Sequence, residues 1–459
     1  MAVVAVLVLA AAPPAAAHAE LVDTDPDEGA VLETAPDVIR LTFDEPVGAV
    51  PNGVQVFDAT GAPIGSSSRV QGADLLVTLD QRVGDGSVLV QWRVVSDDGH
   101  PVTGSLTFSV GVRAAGLAQV PGQSSSGEVP TALGVVRWPA YAGLLLAAGL
   151  VWFAAVTMPA GVDGSGRARR RLRVAAVRAA VVAVIAWLVS LPLTALYLRG
   201  TPFSTVFEAA TWRALPTDEI VFTGAVVVAL CAAVILLPRG TDGSMRAVLA
   251  ATAALVALSP LPLSGHSRVA EPVDLFIIVD ALHLAAGATW LGGLVGLALT
   301  IPLLRGRSDA SALVVSRFST SAAAILTALV VTGGLLAWRI VGSWGAVLTS
   351  GYGRLLLVKM TLVGVAVAIA GYNRYGLVPR IRASVRSDEA RAAARALVRT
   401  VACEVTALVA VLLVTAFLVQ QRPPGERAAA PVSQASAGAE PADEPFASHS
   451  RNAVSSWWT

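Results

Sequence analysis

A chain of 459 residues with 54% hydrophobic and only 14% charged residues is too apolar for an ordinary soluble protein. Its net charge of +1 conceals an uneven distribution, because most arginines fall in short clusters between apolar runs. Such clusters have the form of membrane-topology signals and not of a nucleic-acid groove. The two cysteines, Cys231 and Cys403, both inside apolar runs, leave no disulfide framework and no Cys-rich metal motif.

Residues 1–17 (MAVVAVLVLAAAPPAAA) read as a secretory signal without a basic n-region, ending in the small-residue cleavage site Ala15-Ala16-Ala17. Cleavage there starts the mature chain at His18. Residues 18–113 have the composition of an all-β domain. Ile39–Asp44, Val54–Asp58, Leu75–Leu79, Val88–Val95 and Leu106–Val112 alternate and are rich in Val, Leu and Phe, with Gly, Pro, Asn and Asp between them. Roughly a hundred such residues make an immunoglobulin-like sandwich, with Trp92 as a core residue. Residues 114–131 are a Gly/Ser/Pro linker whose length spans on the order of 20–25 Å. It lets the sandwich either sit over the next part of the chain or swing away from it.

Eight apolar runs follow over residues 132–420, each near the length needed to cross a bilayer. They lie near Leu133–Pro159, Val174–Leu198, Ile220–Leu237, Ala247–Leu263, Val273–Leu304, Ser319–Ile340, Arg354–Val378 and Val401–Val419. The fold class expected is therefore an all-β sandwich followed by an all-α polytopic membrane bundle. Arginines crowd alternate loops: Arg167 to Arg173, then Arg239 and Arg246, then Arg305 and Arg307, then Arg374 to Arg399. Basic loops face the cytoplasm, so the expected location is the cell membrane, with the sandwich outside. Arg380–Arg399 reads as a basic amphipathic connector, and residues 421–459 as a disordered tail.

Two regions carry candidate chemistry. In the sandwich, a mature His18 offers its α-amine and its imidazole, and the turn Asp97-Asp98-Gly99-His100-Pro101 adds the Asp98 carboxylate and the His100 imidazole. Taken singly, His18 reads as a frayed terminus and the turn as an ordinary β-turn. Taken together they form an N/N/N/O set that suits tetragonal Cu(II). Between His18 and Thr131 there is no Met and no Cys, so soft ligands for Cu(I) are lacking there.

In the membrane part, His266 follows the Pro260/Pro262 break, and Asp280 precedes His283 by three residues, so a helix puts these two on one face. Ionisable groups in a spanning helix are costly and mark a pathway, a partner or a ligand site. Gly287, Gly292, Gly293 and Gly296 are expected to admit neighbouring helices around that face. His266 and His283 then read as successive stations of a path. Lys359 lies at a similar depth in the seventh run, so Asp280–Lys359 also reads as a purely structural ion pair. Glu404 reads as a polar packing contact or an exit station, Met158 and Met360 as packing.

Ala17-His18-Ala19, LTFDEPV (Leu41–Val47) and DDGHPVTG (Asp97–Gly104) resemble the copper-binding CopC family. Ser264-Gly265-His266, DALHLAAGATWLGG (Asp280–Gly293), YGRLLLVKM (Tyr352–Met360) and GYNRYGLVPR (Gly371–Arg380) resemble the CopD copper-resistance family. The resemblance implies a CopC–CopD fusion, with His18, Asp98 and His100 as Cu(II) ligands. It implies a non-enzymatic protein whose partners are the copper ion, the bilayer and a copper-accepting protein. No P-loop and no DKTG-type motif is present to drive a pump. Two other readings stand beside transport. One is a membrane-anchored copper chaperone or sensor. The other is a copper-brace oxidase, since an N-terminal histidine with a second histidine also resembles polysaccharide monooxygenases.

Overall fold

The computed structural model describes residues 19–97, 99, 101–111, 128–158, 165–238, 244–263, 272–304, 308–341, 344–377, 379 and 387–419. His18, Asp98, His100, His266 and the tail lie outside them.

The first part is a β-sandwich. One sheet contains β1 (Leu21–Asp25), β3 (Val38–Phe43), β7 (Asp74–Leu79) and β6 (Ser66–Gln71), in that order. The other contains β2 (Val31–Leu32), β9 (Pro101–Val110), β8 (Gly86–Ser96), β4 (Val47–Phe57) and β5 (Pro63–Ile64). The two-residue period of a strand sets the core: Ile39, Leu41 and Phe43 of β3 face Val88, Val90, Trp92 and Val94 of β8. Each such buried side chain contributes about 1.5–3 kcal/mol. Trp92 meets Phe43 edge to face, at 5.2 Å between ring centroids. Its register partner on β9 is Gly104, where any side chain would overlap the indole.

The second part is helical. Its main elements are α1 (Glu128–Trp152), α2 (Ser165–Arg199), α3 (Thr217–Leu236), α4 (Ser244–Leu258), α5 (Val273–Thr300), α6 (Ser308–Val341), α7 (Gly351–Tyr372) and α8 (Ser387–Leu418). Seven of these are long and apolar enough to cross a membrane. The fourth apolar run differs from the sequence expectation: α4 has 15 residues, about 22 Å, against a hydrocarbon core of about 30 Å. The chain turns over Ser259–Leu263, where Pro260 and Pro262 cannot continue the helical hydrogen bonding.

Two boundaries also differ. α1 begins at Glu128, inside the stretch read as linker, because Pro130 falls in a first helical turn that needs no N–H bond. The basic connector is no separate element from Ser387 onward, since its Ala- and Arg-rich sequence favours helix and runs unbroken into α8. Outward-facing Val181, Ile185 and Leu188 on α2 and Val221 and Val228 on α3 are large, apolar and exposed, as lipid-facing residues are.

α1 and α5 pack with glycine against glycine. A Cβ on Gly149 would overlap the backbone of Ala288, and one on Gly292 would overlap the backbone of Gly149. Gly293 and Gly296 seat the rings of Phe318 and Phe153. These two rings meet edge to face at 6.3 Å. Gly149 meets Gly292, and four residues further on in each helix Phe153 meets Gly296, so α1 and α5 run parallel, and with the contact about twenty residues into each they start at the same end of the bundle. α2 finishes at that end, because its Leu193 and Leu196 cluster with Val129 and Leu133 of α1.

Candidate functional site

The candidate copper ligands of the sandwich fall outside the described residues, but the backbone on either side of them does not. Next to His18, Ala19 is buried in the sandwich core, and Glu20 N–H donates to Asp44 Oδ1 at 2.6 Å. Asp44 N–H returns a bond to the Glu20 carbonyl at 3.0 Å. Next to Asp98, Asp97 N–H donates to Glu45 Oε1 at 3.3 Å. Two consecutive side chains of the β3–β4 turn, Asp44 and Glu45, thus hold the two chain segments that lead to His18 and to Asp98. Gly99 has φ +86°, and its N–H donates to Ser96 O at 2.9 Å, which fixes a tight turn at the end of β8.

In the helical part, Asp280 and His283 are one helical turn apart on α5, each half-buried. Lys359 of α7 lies within electrostatic reach of both. Tyr141 of α1 lies within reach of Asp280. The structure therefore brings together Asp280, His283 and Lys359, three of the ionisable residues singled out in the membrane runs.

The imidazole is oriented by α6: His283 Nδ1 is 3.0 Å from Thr332 Oγ1. Thr332 has one hydroxyl hydrogen, which goes to the Ala328 carbonyl at 2.5 Å. The hydroxyl oxygen is then placed to accept from Nδ1, which leaves Nε2 as the ring nitrogen that Thr332 does not engage. A histidine whose other nitrogen donates to the protein is the form that ligates metals.

Of the glycines expected around this face, Gly287 lies on it, one turn past His283 and against Leu329 of α6, whereas the other three do not. Gly292 is nine residues from His283, half a turn round the helix, and faces α1. His283 instead lies against Gly333 of α6, where an added Cβ would sit 3.0 Å from Cε1.

Comparison with known proteins assigns these parts. A CopC domain model matches residues 21–111, a copper resistance protein D-like N-terminal domain matches 128–274, and a copper resistance protein D model matches 312–418. The inner membrane protein YebZ of Escherichia coli K12 is 32% identical over 201 residues, 43% of this chain and 67% of that protein. Copper resistance protein C of Xanthomonas campestris pv. juglandis is 34% identical over 103 residues, 20% of this chain and 80% of that protein. The chain is a CopC–CopD fusion. The copper transport protein CutJ of Bacillus subtilis is 26% identical over 364 residues, 75% of this chain, and the chain spans 65% of that protein's length. The chain is accordingly a multi-pass membrane protein of the copper transport and resistance families. Asp280 and His283 of the CopD part lie between the two CopD matches.

A second polar centre of the CopD part was only partly visible in the sequence. Glu404 of α8 is 1% exposed. Its Oε1 accepts from Trp290 Nε1 at 2.9 Å and its Oε2 from Asn373 Nδ2 at 3.2 Å. Thr400 Oγ1 donates to Asn373 Oδ1 at 2.5 Å. Glu404 is thus the polar packing contact read from the sequence, but its partners are 114 and 31 residues away and carry no local signal. Trp290 sits two turns past His283 on the same face of α5, so the two polar centres share one side of that helix. Asn373 opens a π-turn, Asn373–Leu377, which ends α7.

Replacing Glu404 by leucine leaves the indole and amide donors unpaired in an apolar bundle, at about 1–3 kcal/mol for each. The expected result is a clear fall in the thermal unfolding midpoint in detergent, with a smaller fall for Glu404→Gln, which keeps an acceptor for the indole. Met158 is core, as read from the sequence, whereas Met360 is half exposed on the outer surface of α7 and packs less than expected. Cys231 and Cys403 are free and exposed.

Proposed function

We propose that the chain captures Cu(II) outside the cell membrane with His18, Asp98 and His100, and passes copper inward through the CopD part by way of His266, Asp280 and His283. The observation that carries this reading is the pairing of Asp44 with the segment after His18 and of Glu45 with the segment before Asp98. That arrangement brings Glu20 and Asp97, which neighbour the candidate ligands in the chain, to a single turn. The donor set is nitrogen and oxygen only, which selects Cu(II) over Cu(I). A capture domain tied to a membrane bundle serves as a donor to it, which favours inward movement. His283 and Asp280, one turn apart on α5, would supply a nitrogen and an oxygen donor for a passing ion. Transport, without catalysis, is the activity proposed.

The test is the position of the α-amine. Full-length protein secreted so that it begins at His18 should bind Cu(II) with a tetragonal electron paramagnetic resonance spectrum. One extra glycine ahead of His18 moves the amine out of the set. Affinity should then fall by at least about a hundredfold, since even an outer-shell change costs 10–100-fold. Equal affinity in the two forms would overturn the ligand set.

A further inference from the structure

The sandwich does not hang free on its linker. Arg93 stands on β8 directly after Trp92, and since Trp92 fills the core, Arg93 points out of the opposite face. Its guanidinium reaches the end of α2, where Nε donates to the Leu198 carbonyl at 2.6 Å and Nη2 to the Tyr197 carbonyl at 2.8 Å.

The end of α2 is shaped for this contact. Gly200 has φ +67°. Its N–H donates to Tyr197 O, and Thr201 N–H donates to Leu196 O, both at 3.2 Å. This is a Schellman cap, which satisfies the carbonyls of Leu196 and Tyr197 and leaves that of Leu198 open. Arg93 fills the open acceptor and brings a cation to the negative end of the helix dipole. A Cβ on Gly200 would lie 2.5 Å from Arg93 Nη1, so only glycine leaves room for the guanidinium. Burial draws the Arg93 pKa below the ordinary arginine value, yet a guanidinium remains a cation at any physiological pH.

We infer that Arg93 is a latch that docks the CopC part on the end of α2 and so aims the β8–β9 turn at the bundle. Arg93 pairs with Thr103, and the turn that bears Asp98 and His100 begins three residues beyond it. α2 ends on the side of the bundle where α1 and α5 start, the half that contains Asp280 and His283. Docked, the capture turn is held at that end of the bundle; undocked, only the linker holds it. Arg93 is a positioning residue and touches no copper. Its consequence for delivery rests on the transport reading above, whereas the docking itself does not.

Both can be tested on the full chain in lipid nanodiscs, in a background with Cys231 and Cys403 changed to serine. Nitroxide labels at Ser68→Cys on β6 and Glu208→Cys in the loop after α2 report the sandwich-to-bundle distance. Wild-type Arg93 should give one narrow distribution and Arg93→Met a broad one. Arg93→Lys should lie between, because an ammonium does not present the forked donors that span two carbonyls. Cu(II) affinity should be equal in all three. Copper delivery into vesicles should fall on the order of tenfold in Arg93→Met, because a merely tethered donor works at the lower effective concentration its linker sets. An equally narrow distribution in Arg93→Met would overturn the latch. A broadened distribution with unchanged delivery would overturn its role in aiming the turn. If the wild type itself delivers no copper, the transport reading fails, and the distance measurement still decides the docking.

Discussion

Leucine at Gly149 or at Gly292 is expected to abolish the folded helical bundle. The two glycines let the backbones of α1 and α5 touch, and a Cβ at either would lie inside its neighbour's main chain. A main chain cannot rotate away as a flexible side chain can, so the helices must separate along their whole contact. Overpacking a tight interior costs about 1–3 kcal/mol where side chains can yield, and more where they cannot. In a bilayer, close packing is itself the main attraction between helices, so the separation is not offset by burial elsewhere. The neighbouring seats for Phe153 and Phe318 at Gly296 and Gly293 would be lost with it. Gly364 of α7 has open space around its Cβ position and supplies the control. Gly364→Ala should leave stability unchanged or raise it by up to about 1 kcal/mol through helix propensity. Size-exclusion behaviour and thermal unfolding in detergent check this. A monodisperse Gly292→Leu protein with the wild-type midpoint would contradict the α1–α5 contact.

Much of this architecture could be read from the chain, and the parts that could not share a physical cause. The strands that build the sandwich core are short and rich in Val, Leu and Phe, alternating in β3 and continuously apolar in β7 and much of β8, so β3, β7, β8 and the end of β9 were legible. β6 reads SSSRVQ and is an edge strand whose only apolar residue is Val70, so it has no apolar alternation to betray it. Hydropathy located the long helices, but it counts residues and not hydrogen bonds, so α4 looked longer than its prolines allow. The glycines of α5 were correctly expected to admit neighbours, but of the four only Gly287 lies on the face of His283, and Gly292 does not. Helical angle separates them: nine residues is half a turn.

The contacts that matter most for function join residues far apart in the chain. Arg93 bonds to backbone carbonyls, which every residue carries, so nothing in the sequence distinguishes its partners. Asp44 and Glu45 stood in a motif that carried the CopC resemblance, yet their bonds to residues 20 and 97 depend on how β1, β3 and β8 pair. The orientation of the His283 ring follows from Thr332, 49 residues away on α6.

Removing the charges of Asp280 and Lys359 together is expected to give a protein that folds and carries no copper. The two residues interact across α5 and α7 in the membrane-spanning part. Asp280→Asn alone leaves Lys359 uncompensated, and breaking a buried pair costs about 3–5 kcal/mol, so the single variant should be poorly folded. Asp280→Asn combined with Lys359→Met removes both charges, an exchange that is often neutral for stability. If the pair served only to neutralise two costly charges, the double variant would recover function along with its fold. If Asp280 faces the ion, the fold returns and copper flux does not. His283 decides between these from a second direction. Its Nδ1 is held by Thr332, an arrangement that a simple Asp–Lys bridge does not require. His283→Ala should therefore keep the fold, retain Cu(II) capture by the sandwich and lose copper flux. Flux into proteoliposomes, measured beside thermal unfolding of the same samples, separates failure to fold from failure to conduct. Full flux in both the double variant and His283→Ala would reduce Asp280, His283 and Lys359 to scaffold and move the path elsewhere in the bundle.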